Sequence, residues 1–272
     1  MSLFIGASDV SSSAKRNLEG SGAAMQKAIA RLTSGLRINQ AADDAAGLAI
    51  SQRLSSQVAG FDTAARNTVT MVNLVQTADG SLDQVSSLLQ RNRELAVQAA
   101  NDTLTASDRA SLQAEVNQNT AEINLIAGTS SFGGTALLDG SFQGRTVQVG
   151  PNGGDTVQLS LGSSSATALG VGSLDLSTAA SASAAITKLD TALDTVGTQR
   201  SSLGAVQNRL QSAVGQMQLS SENLTAARSR ILDADFATEV SQLTRNQILL
   251  QSSTAMLTQA NVTARQALQL LQ

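Results

Sequence analysis

The chain has 272 residues and a formal net charge of −3, with 42% hydrophobic residues but no Cys, His, Trp or Tyr, five Phe and one proline. Without Cys or His there can be no zinc finger, no Cys–His or Ser–His catalysis, no haem ligation and no disulfide framework. The acidic balance argues against a nucleic-acid partner, and no run of ~18 apolar residues spans a membrane. A core built almost wholly from Ala, Leu, Val and Ile points to helices packed side by side.

In chain order, Met1 to Asp9 lacks the charged and apolar regions of a cleavable secretory signal. Residues 1–42 are dotted with Ser and Gly and only weakly periodic, with a helix expected from about Ser13 to Arg31. Such a segment buries too little apolar surface alone to offset its ordering entropy, so it is expected to fold on assembly. Asp43 or Asp44 is a good N-cap for the next helix. Leu54, Val58, Phe61, Ala65, Val72, Val75, Leu82, Val85, Leu88, Leu95 and Ala99 then form a heptad-like stripe, with polar breaks at Thr68 and Asp79-Gly80. The stripe predicts a helix to about Ala100, long enough to need another long helix as its partner.

Thr105 and Asp108 form a capping box with Asp in place of Glu. The next helix carries Leu112, Val116, Asn119, Ile123 and Ile126, and Gly128 is expected to end it in the manner of a C′ glycine. Residues 129–180 change character: Gly, Ser and Thr dominate. Thr146–Val149 and Thr156–Leu161 alternate around Gly150-Pro151-Asn152-Gly153-Gly154. This predicts a β-hairpin with Val147, Val149, Val157, Leu159 and Leu161 on one face. Ser163–Ser165 and Ser177–Ser183 read as loops.

A third stripe runs Ile186, Leu189, Leu193, Val196, Leu203, Val206, Leu210, Ala213, Met217, Leu224, Ala227, Ile231, with a stammer, a local overwinding, at Leu203–Val206. After Asp233-Ala234-Asp235 it resumes at Phe236, Val240, Leu243, Leu250, Leu257, Ala264, Leu268 and Leu271. Ile248, Leu249 and Met256 widen it, so this last helix needs neighbours on several sides, expected to be other copies of the chain. The fold class predicted is mainly α: an elongated antiparallel long-helix, coiled-coil rod with a small β-hairpin region at mid-chain.

Three motifs invite chemistry and lose it. Asp43-Asp44 and Asp233-Ala234-Asp235 could be carboxylate pairs, but Asp is a favoured N-cap and both lie at helix joints. The Gly150–Gly154 run lacks the Lys-Ser/Thr and the helix of a phosphate loop. No catalytic, cofactor-binding or metal site is expected.

Arg31-Leu32-Thr33-Ser34-Gly35-Leu36-Arg37-Ile38-Asn39 and Asp43-Asp44-Ala45-Ala46-Gly47-Leu48-Ala49-Ile50 closely resemble the N-terminal signature of bacterial flagellins. Leu89–Gln98, Leu203–Leu210, Ala227–Ile231 with Asp233–Asp235, and Asn246–Leu249 continue the likeness in order. It covers the chain outside residues 129–180, so the large outer domains of many flagellins look absent. Ala42 stands where Lys is common, and Ala264-Arg265 where Pro-Gln is frequent.

The resemblance implies a structural subunit, not an enzyme, that is exported unfolded by a type III apparatus and polymerises with copies of itself into the flagellar filament for motility. Residues 1–42 and 236–272 would form an inner tube, and 43–235 the surrounding rod. Cap and hook-junction proteins, and an export chaperone on the C-terminal region, are the implied partners. The resemblance also implies that Gln90, Arg91, Leu95 and Gln98, with Glu115, form a surface buried between subunits and seen by the animal Toll-like receptor for flagellin. Leu95 falls on the core stripe as well, so it has two competing roles. A hook–filament junction protein of the same helical family is the alternative. A protease-bearing flagellin would need His-Glu-x-x-His, which a chain without His cannot supply.

Overall fold

In a computed structural model, the backbone is described for residues 2–269 and side chains for 11–263, 265 and 266. The stripe positions Ala264, Leu268 and Leu271 therefore lie outside the described side chains. The described elements are helices α1 (Ser2–Ser34), α2 (Ala45–Ala99), α3 (Ala106–Thr129), α4 (Ala179–Leu232) and α5 (Phe236–Gln269). Strands β1 (Ser131–Phe132), β2 (Thr135–Ala136), β3 (Arg145–Gln148) and β4 (Thr156–Leu159) lie between α3 and α4. Two compact units result: residues 57–222, and residues 1–56 with 223–272. Helices α2 and α4 contribute to both.

In the unit of residues 57–222, α2 and α4 run antiparallel. Arg93 Nε donates to Asp190 Oδ1 at 2.6 Å, Arg200 Nε to Asp79 Oδ1 at 2.8 Å, and Ser221 Oγ to Asp62 Oδ1 at 2.9 Å. Within this unit the buried positions of α2 are Ala64, Thr68, Met71, Val75, Ala78, Leu82, Val85, Leu89, Asn92, Ala96 and Ala99, with Leu95 beside them. Their steps alternate four and three without interruption, the spacing of a coiled-coil seam. Thr68 is therefore not a break. It is wholly buried, and its hydroxyl donates to the Ala64 carbonyl at 2.8 Å, so the helix itself satisfies it.

Several predicted core positions shift by one residue. Leu88, Val72 and Ala65 are half-buried, while Leu89, Met71 and Ala64 are buried. On α4 the buried seam is Ala182, Ala185, Leu189, Ala192, Val196, Leu203, Leu210 and Met217, with half-buried Gln199, Val206 and Ala213 completing the alternation. The stammer disappears, because small Ala185 and Ala192 occupy the seam and bulkier Ile186 and Leu193 flank it.

Helix α3 folds back along α2. Its start is the expected capping box: the Thr105 hydroxyl accepts from the Asp108 amide while the Asp108 carboxylate accepts from the Thr105 amide. The Thr105 hydroxyl, which lies 2.7 Å from Asp108 Oδ2, and then the Thr105 amide hold the Asp108 carboxyl below its ordinary pKa. Its end differs from expectation. Gly128 lies inside the helix and takes no positive φ, and the extended Ser130 is the C-cap, its amide donating to the Ile126 carbonyl. Ser130 Oγ then donates to Ser81 Oγ at 2.9 Å, anchoring the helix end to α2.

The predicted hairpin forms as β3–β4, with Val147 opposite Val157 and with Val157, Leu159 and Leu161 buried. Its turn carries the chain's one proline, Pro151. This turn lies against α2 where Gly60 has no side chain: a Cβ there would stand 2.9 Å from the Pro151 Cβ. A second, unpredicted hairpin, β1–β2, turns at Gly133 (φ 58) and Gly134 (φ 81), the paired positive φ of a type I′ turn.

The expected loops at 163–165 and 177–183 are not free. Ser164 is buried and its hydroxyl donates to Gln199 Oε1 at 3.1 Å. Gln113 of α3 clasps the following strap, its Nε2 donating to the Leu174 carbonyl at 2.9 Å while its Oε1 accepts from the Leu176 amide at 2.7 Å. Ser177–Ser183 is largely the cap and first turn of α4: the Thr178 hydroxyl accepts from the Ser181 amide at 3.1 Å.

In the other unit, α1 packs antiparallel to α5. Gly35 (φ 70) turns the chain out of α1, Leu36 bridges Asp233, and the Ala234 amide donates to the Gly35 carbonyl at 2.9 Å. The caps are those the sequence indicates. Asp44 Oδ1 accepts from the Gly47 amide at 2.8 Å to start α2, and Asp235 Oδ1 accepts from the Ala237 amide at 3.0 Å to start α5. Asp43 serves the joint instead: Lys27 Nζ lies 2.6 Å from its Oδ1, and it accepts from the Asn39 amide at 3.2 Å. The Lys27 contact, first, and the Asn39 amide hold the Asp43 carboxyl below its ordinary pKa.

Candidate assembly surfaces

Two surfaces stand out, one in each unit. On residues 57–222, the middle of α2 meets α3. Arg91 Nε donates to Glu115 Oε1 at 2.8 Å, and Arg91 Nη1 donates to Glu94 Oε2 at 3.1 Å. The Glu115 hydrogen bond, then that of Glu94, raises the Arg91 pKa further above its already high value. The Arg91 side chain stays about half exposed while its guanidinium is oriented by both carboxylates. Gln90 and Gln98 are exposed on the same helix.

Leu95 is not on this surface. It is 1% exposed and lies in the core cluster with Leu89, Ala96 and Val116. Of its two competing roles, the core has it. Arg91 and Glu115 are thus brought together, Gln90 and Gln98 share the exposed side of α2, and Leu95 lies beneath. Beside this surface Asn92 is wholly buried. Its Oδ1 accepts from Asn119 Nδ2 at 2.8 Å and its own Nδ2 lacks a partner.

The second surface is on α5. Phe236, Val240, Ile248, Leu249, Met256 and Val262 are exposed, Phe236 at 69% and Ile248 at 60%. They do not belong to the face that meets α1. That face is half-buried and follows Leu243, Asn246, Leu250, Ser253, Leu257 and Ala260. The sequence pattern leads to the expectation that this helix has neighbours on several sides, supplied by other copies; α1 of the same chain covers one side, and the apolar residues named above stay exposed. Apolar side chains exposed in such numbers on one helix mark a protein-interaction surface.

Among the described residues, no group of three or more His, Cys, Asp or Glu could hold a metal ion, and no helix is long and apolar enough to cross a membrane. Long heptad seams, an unpaired apolar helix face and joints made of helix caps define a helical structural protein built for self-association.

Similarity to known proteins narrows the class. The N-terminal helical region of bacterial flagellin matches residues 6–143, and the C-terminal helical region of bacterial flagellin matches residues 186–271. A flagellin from Halalkalibacterium halodurans is 45% identical over 248 residues, covering 90% of this chain and 91% of the relative. A crystal structure of Bacillus cereus flagellin matches at 36% identity and a TM-score of 0.51, over 56% of this chain and 88% of that one. A structure described as a flagellar hook-associated protein from Vibrio parahaemolyticus gives a TM-score of 0.60 at 15% identity, over 70% of this chain and all of that one, a likeness of fold alone. The chain belongs to the bacterial flagellin family. It is a structural subunit of the flagellar filament, polymerises with its own copies and serves motility; it is not an enzyme.

Proposed function

We propose that the unit of α1 and α5 forms the inner tube of the filament and that residues 43–235, with the hairpin region at 129–180, form the shell around it. The observation that carries this reading is the bare apolar face of α5, from Phe236 to Val262. A side chain such as Ile248 or Met256 gains roughly 1.5–3 kcal/mol on full burial. Neighbouring copies supply that burial only at a growing end. The chain reaches that end by export through the filament, adds beneath a cap protein, and meets hook-junction proteins at the base. The same bare face needs cover before export, which fits a chaperone on the C-terminal region.

The Arg91–Glu115 surface, with Gln90 and Gln98, serves as a subunit contact in the filament and as the contact for the animal flagellin receptor in the free monomer. Leu95 supports it from below.

The test is the triple variant I248S/L249S/M256S in full-length protein. These side chains are exposed, so monomer helicity by circular dichroism should match wild type, while elongation of filament seeds should fall at least tenfold. Unchanged elongation would remove the α5 face from assembly.

A further inference from the structure

The seam between α1 and α5 is thin. Its α1 side follows Ser11, Ala14, Leu18, Ser21, Met25, Ala28 and Leu32; among the described side chains of α1 only Ala28 is buried, and among those of α5 only Glu239. The most deeply covered group of α5 is thus a carboxylate. Arg31 Nη1 meets Glu239 Oε1 at 2.9 Å, with side chains 20% and 7% exposed. Arg31 Nε and Glu239 Oε2 are buried without partners, so this pair depends on a single direct contact.

Each charge also lies at the helix end that suits it: Arg31 in the last turn of α1 and Glu239 in the first turn of α5. The rest of the seam is built of small, apolar or neutral polar residues, Asn246 and Ser253 among them, which discriminate poorly between partners. Arg31 and Glu239 do discriminate. Two α1 helices or two α5 helices paired in parallel register would oppose like charges, and other pairings would bury a charge against apolar or neutral groups.

We propose that Arg31 and Glu239 are the specificity-determining residues that make α1 pair with α5, and so keep identical helices of crowded copies from pairing with each other. The inference rests on the chain being a polymerising subunit, not on where in the filament this unit lies. A buried ion pair can be replaced by apolar residues without loss of stability. Its role is therefore visible in which helices pair, not in whether they do.

The chain has no cysteine, so an introduced pair reports pairing cleanly. A Cβ at Gly22 would stand 4.0 Å from Leu250 Cδ1, so G22C/L250C sets one cysteine on each helix at the same level of the seam in the full-length protein. Oxidation should link these cysteines within one chain in the wild-type background. Adding R31M/E239L should keep the helicity by circular dichroism yet raise the share of like-with-like links between chains, position 22 to 22 or 250 to 250 as resolved by peptide mapping, at least fivefold at high protein concentration. The charge-swapped R31E/E239R keeps opposite charges facing each other, though at the less favourable helix ends, and should bring the share most of the way back to the wild-type value. An unaltered share in R31M/E239L, failure of the swap to bring it back, or loss of helicity in both would overturn the proposal.

Discussion

Arg91 donates from Nε to Glu115 at 2.8 Å across the α2–α3 pair, so the guanidinium is held in one orientation on a side chain about half exposed. An Arg fixed at a surface in this way is a common interface anchor. Arg91→Ala is expected to lower receptor activation by monomers about tenfold in a reporter-cell assay, and to slow seeded elongation as well. Equal potency of variant and wild type would remove Arg91 from the receptor contact.

The acid limb of stability should report the joint and cap carboxylates. Lys27 with backbone amides at Asp43, the Thr105 hydroxyl and amide at Asp108, and the Thr238 hydroxyl with backbone amides at Asp235 each lower the aspartate pKa from its ordinary 3.8. A carboxyl with a depressed folded-state pKa adds stability above its unfolded value and loses it as pH falls through the folded one. Monomer stability should therefore fall as pH drops below 3.8. The triple variant D43N/D108N/D235N should begin less stable at neutral pH and show a shallower decline over that range. Parallel pH profiles by urea titration would argue against these contacts as the source.

The seam register sets the cost of truncation. Leu89 is fully buried and Leu88 only half-buried. Leu89→Ala should cost about 2–5 kcal/mol and Leu88→Ala clearly less, measured by denaturant unfolding of the monomer. The reverse order would restore the phase in which Leu88 faces the core.

Much of this fold is legible in the sequence because caps and turns act locally. Asp44, Asp235, the Thr105–Asp108 box and the Gly150–Gly154 turn each need only their own neighbours. Seam phase is less legible, because it depends on which residues a partner helix covers. A reading that follows large apolar residues takes Leu88 and Ile186 as core and Thr68 as a break. The partner helices instead leave room for Thr68, Ala78, Asn92, Ala185 and Ala192. The strap at 163–176 looks like loop because its clasp, Gln113, lies some sixty positions away in the chain. At the candidate site, the sequence pairs Arg91 with Glu115 through family likeness alone, and the cross-helix hydrogen bond supplies the physical reason. The Arg31–Glu239 pair leaves no local signal, since 208 positions separate its members.

Asn92 is a polar residue in an apolar seam with Nδ2 unpaired. A buried donor left without a partner costs about 1–3 kcal/mol. Asn92→Leu should raise the melting temperature of the monomer, since half-buried Asn119 can turn its amide to water. A lower melting temperature would mean that the Asn92–Asn119 bond outweighs the unpaired group.

Gly60 and Pro151 test how the hairpin is seated. Gly60→Val sets a branched side chain where a Cβ alone would stand 2.9 Å from the Pro151 Cβ. About 1–3 kcal/mol of destabilisation is expected, with faster hydrogen exchange across β3 and β4. Unchanged exchange there would show that the turn does not depend on the α2 surface.

Electron microscopy of the purified full-length protein after seeding with filament fragments is the most direct test that this chain is a filament subunit. Long helical filaments growing from the seeds are expected. Protein that stays monomeric, or that closes into short rings without elongating, would contradict it.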